Sequence, residues 1–425
     1  MGTQCCESKG NLNVTSPQQY NRYNTNVHRG IKTPNYSNKN AMQKPISNIP
    51  AQNYGKNKLV EEQRLPSEEN INRASLGSSV INNNSGERMS QKTPDIYQRN
   101  DNNNLLNINE NNNNNLNYNL TNPKIIKDFM AHDKIIVCMI ELHNKLIATG
   151  SYDNTIKIWD ISSNNNSSEK TIKEEGKIFS LLEFEDNMLL ASIDKTPEGI
   201  QEISQIQRDY IIIRLWDLSD PNNQSIFDFK GHSLRVNALV KCDDKHFASC
   251  SNDNKIFIWD YILRKSSNVL KGHEDCILHM INLNDGRLCS GSADTTIKIW
   301  DWENGQCVAT LTGHNHWVKC LCQLSNGYII SGSQDNIIKV WENDQYLFDL
   351  EGHERSVRSI CQIGNSNYIA TASFDHTIKL WDLNSRSCVN TLREHKSSVI
   401  NVIYHSDGYL VSCSNDQTVK VWNIK

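Results

Sequence analysis

The sequence predicts an all-β domain of seven repeats that follows a long polar N-terminal region. Residues 1–122 are rich in Asn, Gln, Ser and Lys, and they show no sustained hydrophobic period of 2 or 3.6. From about residue 123, short runs of β-branched and apolar residues alternate with turn residues, as in chains of many short strands. Tryptophans recur there at steps of about 41 residues after a longer first step, which indicates an internal repeat.

The N-terminal region, residues 1–122, is predicted to be disordered. It holds too little apolar surface to offset the conformational entropy lost on ordering, and more than half of residues 101–122 are asparagine. An asparagine-rich tract of this kind suits a relaxed linker. An aggregation-prone or condensate-forming segment is the alternative.

The net charge, the length of the apolar runs and the cysteine spacing exclude several classes of protein. A net charge of −4 over 425 residues argues against a nucleic-acid-binding protein that works by bulk electrostatics. No apolar run reaches the roughly 18 to 20 residues of a membrane-spanning helix, and the first ten residues lack a signal-peptide core. The thirteen cysteines are irregularly spaced, which favours reduced, buried thiols in an intracellular protein over disulfides or a metal site.

Each repeat closes on a tryptophan in a strand such as IKIWD (156–160 and 297–301). In six of the seven repeats an aspartate precedes that tryptophan by six residues, and a serine precedes the aspartate by two. A histidine stands 21 or 22 residues before the aspartate. The six sets are His132, Ser151, Asp153 and Trp159; His232, Ser251, Asp253 and Trp259; His273, Ser292, Asp294 and Trp300; His314, Ser333, Asp335 and Trp341; His353, Ser373, Asp375 and Trp381; and His395, Ser414, Asp416 and Trp422.

This pattern resembles the WD40-repeat family, whose marks are Gly-His near the start of a repeat and Trp-Asp near its end. The resemblance covers about 300 of the 425 residues and implies a seven-bladed β-propeller over residues 123–425. In that family one repeat supplies the outer strand of one blade and three strands of the next. Residues 123–131 are therefore expected to be the closing strand of the last blade.

The resemblance also implies that the recurring His, Ser, Asp and Trp form buried structural tetrads. The same residue types build nucleophilic triads, but an enzyme needs one exposed nucleophile and not six copies on equivalent strands. Neither catalysis nor a cofactor, metal or small-molecule substrate is expected. The family instead implies protein or peptide partners.

The second repeat departs from this pattern. It keeps a serine and an aspartate, Ser192 and Asp194, but has Glu174 where the histidine is expected. It also carries about 16 extra residues (195–210), which we assign to the turn between its second and third strands. Both a neutral loop insertion and a specificity loop for a partner are consistent with this.

In family members, partner contacts lie three and five residues after the histidine and one before the aspartate. These positions contain four aromatic residues, Tyr152, Phe179, Trp317 and Phe374, and four basic residues, Lys177, Arg235, Lys319 and Arg358. The same analysis places no acidic residue in this set. It predicts a peptide with acidic or phosphorylated residues beside an apolar side chain, against the alternative of an ordinary mixed surface.

The first six residues resemble an N-myristoylation site, with Gly2 as acceptor, followed by two palmitoylation sites, Cys5 and Cys6. Cys6 departs from the Ser or Thr of the stricter motif. Two acyl chains anchor stably where one binds marginally, and the net charge of +7 over residues 1–60 would add attraction to an anionic leaflet. We expect a cytoplasmic protein that acylation would hold at the cytoplasmic face of a membrane; an unmodified tail is the alternative.

The function predicted from these features is that of a non-enzymatic scaffold or adaptor for protein–protein interaction. The alternative is the substrate-recognition subunit of a ubiquitin ligase. The fragment 63–76 carries a suitable Leu-Pro near its start (Leu65-Pro66) but has too few apolar positions to fold as an adaptor-binding helical module.

Overall fold

A computed structural model describes residues 118–197 and 210–425. Within these ranges, 28 strands form seven four-stranded antiparallel sheets, and no helix is present. The first strand of each sheet contacts the first strand of both neighbouring sheets, so these strands close a ring around a central channel. The predicted all-β fold with seven blades is therefore confirmed.

Each blade consists of four strands, numbered outward from the channel. Blade 1 contains β2 (Ile136–Glu141), β3 (Ile147–Ser151), β4 (Thr155–Trp159) and β5 (Lys170–Lys173). Blade 2 contains β6 (Lys177–Glu185), β7 (Met188–Asp194), β8 (Ile211–Asp217) and β9 (Ser225–Phe229). Blade 3 contains β10 (Val236–Lys241), β11 (His246–Ser251), β12 (Lys255–Asp260) and β13 (Lys265–Lys271). Blade 4 contains β14 (Ile277–Asn282), β15 (Leu288–Ser292), β16 (Ile297–Asp301) and β17 (Gln306–Leu311).

The remaining three blades repeat the arrangement. Blade 5 contains β18 (Val318–Gln323), β19 (Ile329–Ser333), β20 (Ile338–Glu342) and β21 (Gln345–Leu350). Blade 6 contains β22 (Val357–Gln362), β23 (Tyr368–Ser373), β24 (Ile378–Asp382) and β25 (Ser387–Leu392). Blade 7 contains β26 (Val399–Tyr404), β27 (Tyr409–Ser414), β28 (Thr418–Asn423) and, on its outer edge, β1 (Lys124–Met130).

The core lies between neighbouring blades. Second strands such as β15 and β19 are buried along their whole length, because both of their faces pack against adjacent sheets. Outer strands such as β17 are exposed at most positions. The Trp300 side chain packs with residues of blades 3 and 4 in one apolar cluster, so each closing tryptophan joins two blades. All described cysteines are free thiols, and five are buried in these clusters.

The ring is closed by strands from opposite ends of the sequence. β1 pairs antiparallel with β28, from Lys124 opposite Asn423 to Met130 opposite Thr418. The last blade therefore takes its outer strand from the beginning of the domain. This pairing covers the edge that β28 would otherwise present to solvent.

The folded domain begins earlier than residue 123, which corrects the boundary expected from the sequence. Leu120 is only 4% exposed and packs in the cluster that contains Leu392 and Ile424. The Asn119 backbone N–H donates to the Ile424 carbonyl at 2.6 Å, and the Asn390 side-chain amide donates to the Leu120 carbonyl at 2.9 Å. A single buried leucine in an asparagine-rich run creates no period, so the sequence pattern could not reveal this contact. The rest of the predicted disordered region, residues 1–117, lies outside the described residues.

Candidate partner-binding surface

The positions predicted to contact partners lie on one face of the ring, which we call the upper face. The innermost strand of each blade begins there, and the antiparallel second strand ends there. Backbone hydrogen bonds link the two sets of positions: the Gln334 N–H donates to the Trp317 carbonyl and the Phe374 N–H donates to the Ser356 carbonyl, both at 2.9 Å. Residues far apart in the sequence therefore share one surface.

Four of the eight predicted residues form a continuous group across blades 1 to 3. The Lys177 ammonium lies 5.2 Å from the Tyr152 ring centre, and the Arg235 guanidinium lies 4.7 Å from that of Phe179. The Tyr152 and Phe179 rings meet edge to face at 5.2 Å. Such cation–π and aromatic contacts hold half-buried side chains in fixed positions.

The other four residues form two pairs on blades 5 and 6. The Lys319 ammonium lies 4.2 Å from the Trp317 ring centre, and the Arg358 guanidinium lies 5.6 Å from that of Phe374. Burial lowers the pKa of Lys319 to about 7, and the positive charges of Arg358 and Arg235 add to this effect. The structure thus places all eight predicted residues in cation–aromatic contacts on the upper face.

The upper face also contains an acidic residue that the sequence analysis missed. Strand pairing aligns blade 2 with the others: Ala191 pairs with Arg214 in blade 2 as Ser290 pairs with Lys298 in blade 4. Ala191 therefore corresponds to Ser290 and, in blade 1, to Thr149. Asp194, three residues after Ala191, then corresponds to Tyr152, three residues after Thr149. Asp194 lies opposite Lys177 in the hairpin. The set of contact positions, in which the sequence analysis placed no acidic residue, therefore includes one carboxylate. Ile193, the residue that sequence counting put on this surface, is 1% exposed.

The recurring histidines, aspartates and tryptophans form hydrogen-bonded chains inside six blades. In blade 4 the Trp300 indole N–H donates to Ser290 Oγ at 2.8 Å, and that oxygen lies 2.8 Å from His273 Nε2. His273 Nδ1 lies 2.7 Å from Asp294 Oδ2. The Asp294 carboxylate accepts from Nδ1–H, so the Ser290 hydroxyl donates to Nε2 and every member of the chain is satisfied.

The hydroxyl in these chains is not the serine predicted from the sequence. The linking residues stand four before the aspartate, and they are Thr149, Ser249, Ser290, Ser331, Thr371 and Ser412. The predicted serines instead brace the hairpin turn, as Ser292 does when its Oγ donates to the Asp275 carbonyl and accepts from the Asp294 N–H. The same correction applies to Ser151, Ser251, Ser333, Ser373 and Ser414. The hydroxyl residues four before the aspartate and those two before it point to the same face of the second strand, because side chains two residues apart in a strand share a face. The sequence period therefore could not show which of the two sets contacts the histidine.

These chains contain the groups of a hydrolytic triad but do not present them to a substrate. Ser290 is fully buried, and its oxygen already contacts both the indole and the imidazole. Burial would raise the pKa of the Asp294 carboxyl, but hydrogen bonds from His273 and Thr296 outweigh it and hold the pKa well below its usual range. The arrangement therefore suits a structural clasp.

Blade 2 has a different polar cluster in place of this chain. Ala191 occupies the position of the linking hydroxyl, and Ser192 and Asp194 do not take the roles that the sequence suggested. Arg214 makes a bidentate pair with Asp228 at 2.6 and 2.7 Å and also donates to Glu174 at 2.9 Å. We call this group, Glu174, Arg214 and Asp228, the ion clasp.

The extra residues of blade 2 leave the fold at the upper face. The Lys195 N–H donates to the Tyr210 carbonyl at 2.9 Å and closes the base of the insertion directly after Asp194. Residues 198–209 of the predicted insertion 195–210 lie outside the described residues. So do the predicted acylation sites Gly2, Cys5 and Cys6.

Within the described part of the chain, no helix is long and apolar enough to cross a membrane. In residues 118–197 and 210–425, no group of three or more His, Cys, Asp and Glu side chains is arranged to hold a metal ion.

Comparison with known proteins agrees with this architecture. The chain is similar over short stretches to Cell division control protein 4 of Saccharomyces cerevisiae (31% identity over 85 residues, 20% of this chain and 11% of the relative). It is also similar to the probable coatomer subunit beta' of Schizosaccharomyces pombe (35% over 79 residues, 18% and 10%) and to Pre-mRNA-processing factor 19 of Bos taurus (37% over 76 residues, 18% and 15%). The matches span between a tenth and a sixth of the length of these relatives.

The sequence profile described as "WD domain, G-beta repeat" matches six stretches that together make up more than half of the chain. They are residues 123–160, 223–260, 264–301, 305–342, 344–382 and 386–423. The stretch left unmatched between the first two contains most of blade 2, the blade without the hydrogen-bonded chain. The chain belongs to the WD40-repeat family.

Proposed function

We propose that the upper face binds a segment of a partner protein that carries negative charge beside an apolar or aromatic side chain. The fold is typical of non-catalytic platforms for protein interaction, and the proposal concerns what this platform recognises. The observation that carries it is the convergence of four cationic side chains on four aromatic rings at one face. Half-buried aromatic anchors next to cations are typical of sites that bind such segments.

The charge on this face is unevenly distributed. Asp194 lies opposite Lys177, so the positive charge near the insertion is partly offset. Arg235, Lys319 and Arg358 form no ion pair with any described carboxylate. A bound segment would therefore place its acidic residues toward blades 3, 5 and 6 and its apolar residue near Tyr152 and Phe179.

The test uses the full chain against an immobilised peptide array in which Asp and Glu are replaced in turn by Asn and Gln. Wild-type protein should retain acidic peptides and lose them when the acidic residues are replaced. Tyr152→Ala combined with Phe179→Ala should reduce retention at least tenfold, because both anchors are removed. Val308→Ala, an exposed apolar site on the outer strand β17, is the control. Equal retention by the double variant and the control would contradict the proposal.

We also propose that Gly2, Cys5 and Cys6 are acylated and that this platform is held at the cytoplasmic face of a membrane. The support is the sequence of the first six residues and the net positive charge of residues 1–60. Mass spectrometry of the native N-terminus should find an acylated Gly2, and Gly2→Ala should move the protein from the membrane to the soluble fraction. A free or acetylated Gly2 with unmodified cysteines would overturn it. The role of ubiquitin-ligase subunit stays a hypothesis, because residues 63–76 lie outside the described part of the chain.

A further inference from the structure

We propose that a cavity on the lower face of blades 1 and 2 binds an arginine side chain of a partner protein. The lower face is the side of the ring opposite the upper face, where the innermost strand of each blade ends and its second strand begins. The inference goes beyond the proposed function, because it assigns a second surface with the opposite preference for charge. A platform with two such faces would hold two partners at once.

The cavity lies where the innermost strands of blades 1 and 2 end, and its volume is about 620 Å³. Its walls include the leucine side chains of Leu142, Leu181 and Leu239, which are 2% to 6% exposed and belong to the core between blades. Two glutamates, Glu141 and Glu183, line the cavity beside these leucines. Leucine walls suit the methylene groups of a long side chain, and the carboxylates suit a positively charged end group.

Backbone N–H groups of the neighbouring blade hold the two carboxylates in place. The Ser406 N–H of blade 7 donates to Glu141 at 3.0 Å, and the His143 N–H of blade 1 donates to Glu183 at 2.6 Å. His143 lies two residues after Glu141, so the second bond fixes Glu183 against the turn that follows Glu141. The His143 ring also lies at this carboxylate, with Nδ1 3.0 Å from Glu183 Oε2, but it is 59% exposed. The cation of a partner can therefore displace the ring without disturbing the core.

Neutral side chains make the same structural bond in blades 5 and 6. Gln323 Oε1 accepts a backbone N–H of blade 4 at 2.7 Å, and Gln362 Oε1 accepts one of blade 5 at 2.9 Å. Strand pairing gives these two glutamines the same position in their blades as Glu141 and Glu183. The bond needs an acceptor oxygen but no charge. The negative charges of Glu141 and Glu183 therefore exceed what the fold uses, and both lie at the cavity.

Among the described residues that surround Glu141, the basic groups do not cancel its charge. Lys145 also lines the cavity, but its ammonium lies 2.7 Å from Asp407, which balances it. His405 Nε2 lies 3.6 Å from Glu141 and donates to the Lys145 carbonyl at 2.9 Å. His405 Nδ1 accepts the Asp407 N–H, so this imidazole carries one proton and is neutral. The cavity therefore attracts a cation.

A guanidinium matches this arrangement better than an ammonium does. It is planar, stays charged and has five N–H donors, so it can bond two carboxylates at once. It is also more weakly hydrated, and it loses less solvation when it enters a cavity with leucine walls. The ammonium of a lysine is a compact, strongly hydrated charge, which makes its transfer from water more costly.

The first experiment measures how the full chain is retained by immobilised short peptides with a central arginine and varied flanking residues. Matched peptides carry citrulline, lysine or alanine at the same position, and citrulline keeps the shape of arginine without its charge. Replacement of arginine by citrulline should reduce retention at least tenfold. The double variant Glu141→Gln with Glu183→Gln should lose as much, because the amides keep both structural bonds and remove both charges. Glu303→Gln, at an exposed lower-face turn of blade 4, is the control.

Equal retention of arginine and citrulline peptides by the wild type would overturn the site, and so would equal retention of arginine peptides by the double variant and the control. Stronger retention of lysine than of arginine peptides would overturn the choice of a guanidinium. Urea unfolding checks that the double variant folds, as the glutamines of blades 5 and 6 lead us to expect. If it does not fold, Glu141→Gln alone, at a side chain that is 22% exposed, should still reduce retention at least threefold.

The second experiment locates the bound arginine. A retained peptide is made with a photoreactive residue next to its arginine and is crosslinked to the full chain. Mass spectrometry should find the crosslink in residues 140–146 or 181–183, which contain most of the residues that line the cavity. A crosslink to the upper face near Tyr152 or Phe179 would overturn the site. The proposed function of the upper face has its own test with acidic peptides, so either proposal can fail while the other stands.

Discussion

Blades 4 and 2 connect their strands through different polar groups. In blade 4 a chain of hydrogen bonds runs from the Trp300 indole through Ser290 and His273 to Asp294. In blade 2 the corresponding hydroxyl position is Ala191, and the polar contact is the ion clasp around Arg214. The first is a buried, fully connected network, and the second lies partly in contact with solvent.

The difference shows that the fold requires a tie between strands and not one particular set of residues. Glu174 replaces the histidine, and its side chain is 5% exposed beside an arginine that is 18% exposed. Burial raises the pKa of Glu174 while Arg214 opposes that rise. At Asp228 the effect of burial is outweighed by the hydrogen bonds from Arg214, which lower the pKa. The blade that carries the insertion therefore relies on charged groups, with one arginine between two carboxylates.

The largest effect is expected from removing the linking hydroxyl in blade 4. Ser290→Ala would leave His273 Nε2 and the Trp300 N–H without a partner in the core, at a cost of about 2–4 kcal/mol in unfolding free energy. Urea unfolding of the full chain measures it. The matched variant in blade 2, Ala191→Ser, adds a hydroxyl where no histidine accepts it and should not stabilise. A cost below about 1 kcal/mol for Ser290→Ala would mean that the chain is not the main tie.

The next largest effect is expected from breaking the ion clasp. Arg214→Met leaves the buried Glu174 carboxylate and the 28%-exposed Asp228 without their cation. The unfolding free energy should fall by about 2–3 kcal/mol. A fully buried ion pair would cost more, because here solvent reaches part of the group. Hydrogen exchange of β6 to β9, compared with β14 to β17, would localise the loss. Uniform loss over both blades would contradict a local role.

Acid should affect the carboxyl groups of Asp335 and Glu174 in opposite directions. Each aspartate in the six chains has a lowered pKa, and for Asp335 it falls to about 2, where burial is outweighed by bonds from His314. A lowered pKa contributes stability that is present above about pH 4 and is lost as the pH falls toward 2. The unfolding free energy of Asp335→Asn, which should lie below that of wild type at neutral pH, should therefore approach the wild-type value as the pH falls from 4 toward 2. Glu174→Gln should show no such deficit, because the Glu174 pKa is raised; parallel curves for the two variants would contradict this.

The smallest effect is expected at Asp194. Strand pairing places it on the upper face and outside any hydrogen-bonded chain, so Asp194→Ala should change the unfolding free energy by about 0.5 kcal/mol or less. The substitution should strengthen the binding of acidic peptides, because Asp194 is the one carboxylate among the described residues at the partner-contact positions of the upper face. If Asp194→Ala lowered the unfolding free energy as much as Asp294→Ala does, Asp194 would have the structural role of the aspartates in the other six blades.

Much of the candidate surface could be predicted from the sequence, because the repeat fixes where each turn falls. Trp317 and Arg358 follow from counting from the histidines and Tyr152 from counting back from an aspartate, and the structure places them on the upper face with the other five. Counting failed in blade 2, where the insertion removes the fixed distance to the tryptophan and Asp194 shifts by one position. Counting also places Ser356 and Asn415 at contact positions, but only the structure shows that Ser356 Oγ and Asn415 Oδ1 are buried without a hydrogen-bond partner among the described residues.

The sequence by itself determined the all-β class, the number of blades and the residue types that recur inside them, because period, turn residues and spacing are properties of the chain. Only the tertiary structure decided which of two hydroxyl rows completes the hydrogen-bonded chains and how blade 2 compensates with Arg214. It also decided that Leu120 belongs to the core and that four cationic side chains contact four aromatic rings on the upper face. These outcomes depend on distances between residues far apart in sequence, which are set when the ring closes and the strands take their register.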